Sequence, residues 1–383
     1  MSENKIWSNS GDSHLVEPRR LFEDNLPADL AERMPRSVKD PDGAFETVYV
    51  DGQEFRRAMP RPGAAQVNLA RPADADPDEA RAPGANDPVL RLTDSDQEGI
   101  WAEVIYPSLG IWAFNIRDPK LVREGVKVLN DWAIDFQNHS PRYVVCASIP
   151  LLDVDDAVAE VRRTAGLGFH VGFFPTREPF GRPPYQHEEW DPLWAAMEET
   201  SMVVGFHIGT EPHTPDQRTG VYHRGRGGAV LNYVETTYGG QRCVTQMIAS
   251  GALDRYPALR VLVSEGGATW GPFIADRMDE GYRQHSAAVR PTLSKLPSEY
   301  LYTQVYASFQ HDRSAVQANA AMGWKNVMWG SDYPHYEGTY GHTQKTLHEL
   351  FDDAPPEVSR RCRLGAFEEL FPHVPPLPHD LRQ

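Results

Sequence analysis

Five acidic and imidazole side chains stand at or just after short apolar runs of the sequence. They are Asp12, His14, His207, Glu265 and Asp332. Carboxylates and imidazoles are common metal ligands, and a buried carboxylate is costly unless a counter-charge lies nearby. A divalent cation would supply that charge if the fold brings these side chains together. We therefore predict that the five residues bind a metal ion.

Each of these residues also has an ordinary structural role open to it. Asp12 could cap a turn, and His207 could be a hydrogen-bonded histidine of the core. Asp332 could form an Asx turn before Pro334. Glu265 could accept hydrogen bonds from the glycine-rich turn behind it. Only their joint placement at the ends of separate strands favours a metal site.

Eight short β-rich runs alternate with helical patterns along the chain. This alternation indicates parallel βαβ units and predicts a single α/β domain, a (β/α)8 TIM barrel, over residues 1–383. The alternative is an open doubly wound sheet, but the chain has no GxGxxG or GxxxxGK(S/T) phosphate turn. The predicted strands are Ile6–Trp7 leading into GDSH, and residues 99–107, 143–150, 169–175, 202–209, 259–267, 305–309 and 326–334. The predicted helices span 118–139, 153–166, 191–200, 235–250, 270–285 and 312–322.

The barrel explains how the candidate ligands can meet. The carboxyl ends of all its strands converge on one mouth, so residues far apart in sequence become neighbours there. Residues i and i+2 of a strand point to the same side. Asp12 and His14 can therefore both point into the barrel.

The stretch 35–95 is predicted to be an insertion after the first strand. Its first part, about 35–86, is rich in Pro, Asp, Ala and Arg and has little apolar periodicity. The functional interpretation is a lid that folds over the active site. A solvated, partly ordered insertion is the alternative.

The composition excludes several partners. A formal net charge of -16 would repel nucleic acid, and no Lys/Arg stripe reverses it. No apolar run is long enough to span a membrane. The three cysteines lie far apart without CxxC spacing, which suits a reducing compartment. We expect a cytoplasmic protein that acts on a small molecule.

Three blocks of the chain together resemble a known family. They are GDSHLVEP (11–18), RYPALRVLVSEGGATWGPFIADRMD (255–279) and WGSDYPH (329–335). The chain is similar to the amidohydrolase superfamily, in the amidohydrolase-related branch that includes aminocarboxymuconate-semialdehyde decarboxylase. This resemblance implies a (β/α)8 barrel with metal at the carboxyl ends of its strands. The habit of the family also suggests a homodimer.

The resemblance assigns ligand positions to residues of this chain. Asp12 and His14 stand where the family has the His-x-His pair of the first strand, and His207 and Asp332 match its ligands on strands five and eight. Two features differ: the first pair is Asp-x-His, and Glu265 occupies a strand-six position that is often histidine. The fourth strand also offers no lysine to carry a bridging carbamate.

Four further residues are candidates for the site. Glu17 could be an additional ligand, or it could brace the loop or helix after the first strand. His335, His311 and Trp270 could surround the ligands or contact the substrate.

Three hypotheses about function follow. In the first, one divalent metal (Zn, Mn or Fe) supports hydrolysis or non-oxidative decarboxylation of a small carboxylated or acyl substrate, and Asp332 or Glu265 moves the proton. In the second, the oxygen-rich ligand set holds two iron ions and the enzyme is a monooxygenase of secondary, possibly terpenoid, metabolism. The third is a binding protein with a vestigial site.

Overall fold

A computed structural model describes residues 5–41, 45–58, 82–213, 223 and 225–381. Within these ranges, twelve strands form a parallel barrel sheet and a small antiparallel sheet. Their bounds are β1 (Ser8–Ser10), β2 (His14–Leu15), β3 (Arg36–Lys39), β4 (Phe45–Val50), β5 (Gln53–Ala58), β6 (Ile100–Pro107), β7 (Tyr143–Ser148), β8 (Val171–Phe174), β9 (Val203–His207), β10 (Val261–Ser264), β11 (Val305–Phe309) and β12 (Val327–Trp329).

The barrel sheet runs β1-β6-β7-β8-β9-β10-β11-β12, and every pairing along it is parallel; β2 continues β1 and pairs with β6. The ends of the sheet meet at a seam, which we define as the contact of residues 11–14 with residues 329–333. There the amide of Gly11 donates to the carbonyl of Trp329 (2.8 Å), and the amide of Asp332 donates to the carbonyl of Asp12 (3.0 Å). The (β/α)8 prediction is confirmed. The later predicted strands are present, and the first begins at Ser8, just after the predicted Ile6–Trp7.

Helices surround the barrel. Asp87, Asp118 and Asp153 begin three of them, each accepting hydrogen bonds from backbone amides of the first turn. All six predicted helices are present within three residues of their predicted bounds. The helices are α1 (Leu21–Asn25), α2 (Ala28–Ala31), α3 (Pro88–Glu98), α4 (Pro119–Gln137), α5 (Val154–Leu167), α6 (Asp191–Glu199), α7 (Gly228–Glu235), α8 (Tyr238–Ala249), α9 (Ala252–Arg255), α10 (Trp270–Gln284), α11 (Pro297–Gln304), α12 (Arg313–Met322), α13 (Thr343–Phe351), α14 (Pro356–Arg360) and α15 (Ala366–Leu370).

The barrel strands are apolar on both faces. In β6, Val104 and Tyr106 join one buried cluster, whereas Ile105 joins another that includes residues of α4. This alternation places one set of side chains inside the barrel and the other under the helices. Phe367 of α15 packs with the inner set. Because both faces are buried, strands β6 to β12 are largely apolar in sequence; β1, Ser8–Ser10, is polar although buried.

The insertion is more ordered than its composition indicated. Strands β3, β4 and β5 form an antiparallel sheet, in which Asp51 and Gly52 make the β4–β5 turn with positive φ angles of 48° and 70°. Val48, Val50 and Phe55 are buried in a cluster shared with α1, α2 and α4. Residues 42–44 and 59–81 of the predicted lid lie outside the described residues, so closure over the site stays a prediction.

None of the described helices combines the length and the apolar character needed to cross a membrane. All three cysteines are buried free thiols, in line with their spacing.

Candidate metal centre

The barrel mouth gathers five predicted ligands. The Nε2 atom of His207 lies 3.3 Å from Oδ1 of Asp12 and 3.2 Å from Oε2 of Glu265, and Nε2 of His14 lies 3.4 Å from Oδ1 of Asp332. The rings of His14 and His207 meet edge to face, with centroids 4.7 Å apart. The fold therefore joins residues from the first, fifth, sixth and eighth barrel strands.

Strand ends place these side chains. Asp12 lies in the short break between β1 and β2, and His207 is the last residue of β9. Glu265 and Asp332 follow β10 and β12 with φ angles of 58° and 52°. Non-glycine residues rarely adopt this left-handed conformation, and where they do the strain is commonly found at functional sites.

Several polar atoms of the cluster are buried with no well-directed hydrogen bond to a described residue, although some lie close to one another. They are both carboxylate oxygens of Asp12 and of Asp332, both ring nitrogens of His14, and Nε2 of His207. The other ring nitrogen of His207, Nδ1, lies 2.8 Å from the carbonyl of Ile208 and can only donate to it. In the neutral ring, Nε2 then carries the lone pair that a metal ligand requires.

The electrostatics of the protein alone show how unfavourable several buried charges would be here. Burial, followed by the charge of Asp12, raises the pKa of Asp332 well above its ordinary value. Burial and the charge of Asp332 raise the pKa of Glu265 to about 8. Burial and the nearby imidazoles of His335 and His207 lower the pKa of His14. Burial thus disfavours the charged forms of these three groups. His207 differs: burial opposes its charge, but the carboxylates of Asp12 and Glu265 raise its pKa well above the ordinary value.

The donor set fits a divalent metal. Asp12, His14, His207 and Glu265 each offer one ligand atom, and these atoms all lie within 4.8 Å of one another; His14, Glu265, Asp332 and His335 form an overlapping set. Carboxylate oxygens and imidazole nitrogens are suitable donors for first-row divalent ions. A cation there would offset the buried carboxylates and satisfy their unpartnered oxygens.

A sequence model of the family described as Amidohydrolase matches residues 12–365. The chain belongs to the amidohydrolase family. Decarboxylase yanB of Aspergillus niger is 23% identical over 261 residues, 66% of this chain and 70% of that protein. The family model confirms the family predicted from the three sequence blocks. It also confirms that the protein is an enzyme of the amidohydrolase superfamily.

Solved structures share the fold of this amidohydrolase. The amidohydrolase map2389c of Mycobacterium avium subsp. paratuberculosis superposes with a TM-score of 0.74 at 18% identity, covering 95% of this chain and 97% of the other. The 5-carboxyvanillate decarboxylase LigW2 of Novosphingobium aromaticivorans, a point mutant with bound manganese, has a TM-score of 0.66 at 18% identity, covering 97% and 99%.

His335 lies closer to the ligands of this amidohydrolase than expected. We predicted that it surrounds the ligands or contacts the substrate, but its Nδ1 lies 2.7 Å from Oδ1 of Asp332. Its ring stacks on His14 with centroids 4.0 Å apart. The signal in the sequence is the Asp-x-x-His spacing, which can bring both side chains to one site when a turn separates them.

Glu17 is not among the clustered ligands. Its two carboxylate oxygens accept hydrogen bonds of 2.8 Å from the backbone amides of Leu109 and Gly110. They thereby hold the start of the 3-10 turn Gly110–Asn115, which follows β6. The structure favours the alternative role for Glu17: its oxygens bind the neighbouring loop, and it is absent from the clusters of candidate ligands.

A cavity of about 260 Å³ opens beside the cluster, and Glu265 belongs to its wall. Trp270 also lines it, while its Nε1 donates to Gly267 and its ring packs on Trp324. His311 lies outside the cluster and is exposed, with Nε2 3.4 Å from the carbonyl of Glu337.

Tyr106 lies against the centre and was missed in the sequence. Its ring lies 4.9 Å from that of His207, and its hydroxyl is 2.9 Å from the hydroxyl of Ser264, which donates to the carbonyl of Gly11. In the sequence it is one of several aromatic residues in an apolar run, and nothing local distinguishes it.

Proposed function

We propose that this amidohydrolase catalyses the metal-dependent, non-oxidative decarboxylation of a small carboxylated organic substrate. The observation that carries the proposal is the convergence of buried carboxylates and imidazoles beside a cavity of about 260 Å³. Decarboxylases on the same fold add support, since both yanB and LigW2 bear that name.

Manganese is the metal we propose. Asp12, His14, His207, Glu265 and Asp332 would hold it, with His335 beside them. Oxygen-rich sites suit manganese, and the LigW2 structure carries this metal. When bound, the ion supplies positive charge that polarises a carboxylate or carbonyl group of the substrate.

Glu265 is the residue best placed to handle the proton. It belongs both to the cluster of proposed metal ligands and to the cavity wall, so it can contact the metal and the substrate. In decarboxylation the bond between carbon and the carboxylate breaks, carbon dioxide leaves, and the electron pair stays on the carbon. That carbon must then receive a proton, which a protonated Glu265 can deliver. Asp332, by contrast, is fully buried and does not line the cavity.

Hydrolysis is the second candidate, because the matched family is described as Amidohydrolase. The same carboxylates would take a proton from water rather than give one to carbon. The di-iron monooxygenase hypothesis has no support from the family or from the relatives.

Product analysis separates the two candidates. We expect protein loaded with manganese to release carbon dioxide from 5-carboxyvanillate or a related hydroxybenzoate, and to incorporate one solvent deuterium into the product in D2O. Assays of amides and esters with the same preparation serve as the comparison. Turnover of those compounds without carbon dioxide from any carboxylate tested would show that the enzyme is a hydrolase.

Removing the metal should lower the stability of the fold. A ligand that binds only the native state stabilises it by about 2.7 kcal/mol when its concentration is 100 times Kd. We therefore expect a chelator to lower the thermal unfolding midpoint and added manganese to restore it. Equal midpoints with and without chelator, in protein shown to have lost its metal, would contradict the proposed centre.

A further inference from the structure

Arg91 of α3 is fully buried directly behind the ligand His14. Its guanidinium donates to the carbonyl of His14 (2.7 Å), to the hydroxyl of Ser13 (2.9 Å), and to both carboxylate oxygens of Glu103 (3.0 and 2.8 Å). Four of its five N–H groups are used. The planar fork of arginine can hold several acceptors at fixed angles in this way.

One turn further along α3, Asp94 binds the other side of the seam. Its Oδ2 atom accepts from the hydroxyl of Tyr333 (2.5 Å) and from the amide of Gly84 (2.9 Å), while Oδ1 accepts from Tyr340 (3.2 Å). Tyr333 directly follows the ligand Asp332. The guanidinium of Arg91 also lies over the Tyr333 ring, 4.7 Å from its centroid.

A single helix, α3, therefore contacts residues on both sides of the seam. We propose that Arg91 and Asp94 are positioning residues that set the separation of His14 and Asp332 and so preorganise the metal centre. We call this pair of residues, with Glu103, the seam clasp. It acts on the metal site of the proposed function but does not depend on the reaction catalysed there.

The energetics favour a positioning role over a purely stabilising one. A buried ion pair is rarely worth more to stability than apolar residues of the same volume, because both charges must leave water. The clasp instead fixes the orientation of the backbone at the seam. Arg91 binds Ser13 and His14, and Asp94 binds Tyr333. Partners that orient metal ligands commonly account for about 10- to 100-fold in metal affinity.

Manganese affinity of the full-length protein tests the clasp. The double variant Arg91→Met/Glu103→Gln removes both buried charges, so neither is left unpaired. We expect its Kd for manganese, measured by electron paramagnetic resonance of the free ion, to rise about 10-fold or more. Asp94→Asn should also weaken binding, and Arg91→Lys should restore part of the affinity lost in the double variant.

The pair Arg163/Glu160 of α5 provides the control, because it is also bidentate (2.8 and 2.7 Å) but contacts none of the ligands. Arg163→Met/Glu160→Gln should leave the Kd within about twofold of wild type, below the range for ligand-orienting partners. Unchanged manganese affinity in Arg91→Met/Glu103→Gln, or equal losses in this variant and the control variant, would refute the positioning role of the clasp. If the clasp variant does not fold, wild-type affinity in Asp94→Asn overturns it. A wild-type protein that binds no manganese overturns both the clasp and the proposed manganese centre.

Discussion

His207→Ala is expected to weaken manganese binding by more than about 100-fold and to abolish activity, because loss of a direct ligand should exceed the loss of an orienting partner. The His207 imidazole stands between Asp12 and Glu265, 3.3 and 3.2 Å from their oxygens. Without it, two carboxylates face each other and one nitrogen donor is gone. Asp12→Ala should have a similar effect, since both its oxygens lie in the cluster without another partner among the described residues.

Titration of the variant with manganese, followed by the signal of the free ion, measures the loss. His170→Ala is the matched control: this histidine precedes β8 and stacks on His373, with centroids 3.4 Å apart, outside the ligand cluster. Wild-type affinity in His207→Ala would refute the ligand assignment, whatever the activity.

Glu265→Gln is expected to lower kcat by about 10²- to 10⁴-fold, the usual contribution of a positioned general acid or base. Glutamine keeps the shape and one carbonyl oxygen for the metal but cannot give up a proton. The effect should persist at saturating manganese, because proton transfer rather than metal binding is lost.

Steady-state kinetics with and without excess manganese separate these effects. Asp312→Asn is the control, since Asp312 lines the same cavity but is not part of the ligand cluster. Its kcat should stay within about tenfold of wild type, below the range for general acid–base catalysis. A fully active Glu265→Gln enzyme would show that another group transfers the proton.

The sequence predicted the barrel because strands β6 to β12 are short, largely apolar runs buried on both faces, although β1 is the polar segment Ser8–Ser10. It also predicted five of the clustered residues, because they interrupt or end such runs with polar side chains. Arg91 and Asp94 could not be recognised, since in PVLRLTDSDQE they resemble the solvent-facing charges of any amphipathic helix. Only the packing of α3 against the seam gives them partners.

The sheet of the insertion was missed for a different reason. Its strands are short, and residues rich in Pro and Asp around them mask the alternation of Val48, Val50 and Phe55. The Asp51-Gly52 turn was the available signal, because both residues adopt the positive φ angles that a two-residue hairpin needs. The role of Glu17 stayed open because its carboxylate binds backbone amides, which no side-chain pattern reveals.

The seam also dictates when the centre can form during protein synthesis. The backbone of Asp332 binds that of Asp12, so the last ligand-bearing strand must be translated before the first is locked in place. A nascent chain on the ribosome therefore cannot complete the proposed set of five ligands until Asp332, which follows β12, has emerged. We expect the complete centre to form late, after most of the chain has been synthesised.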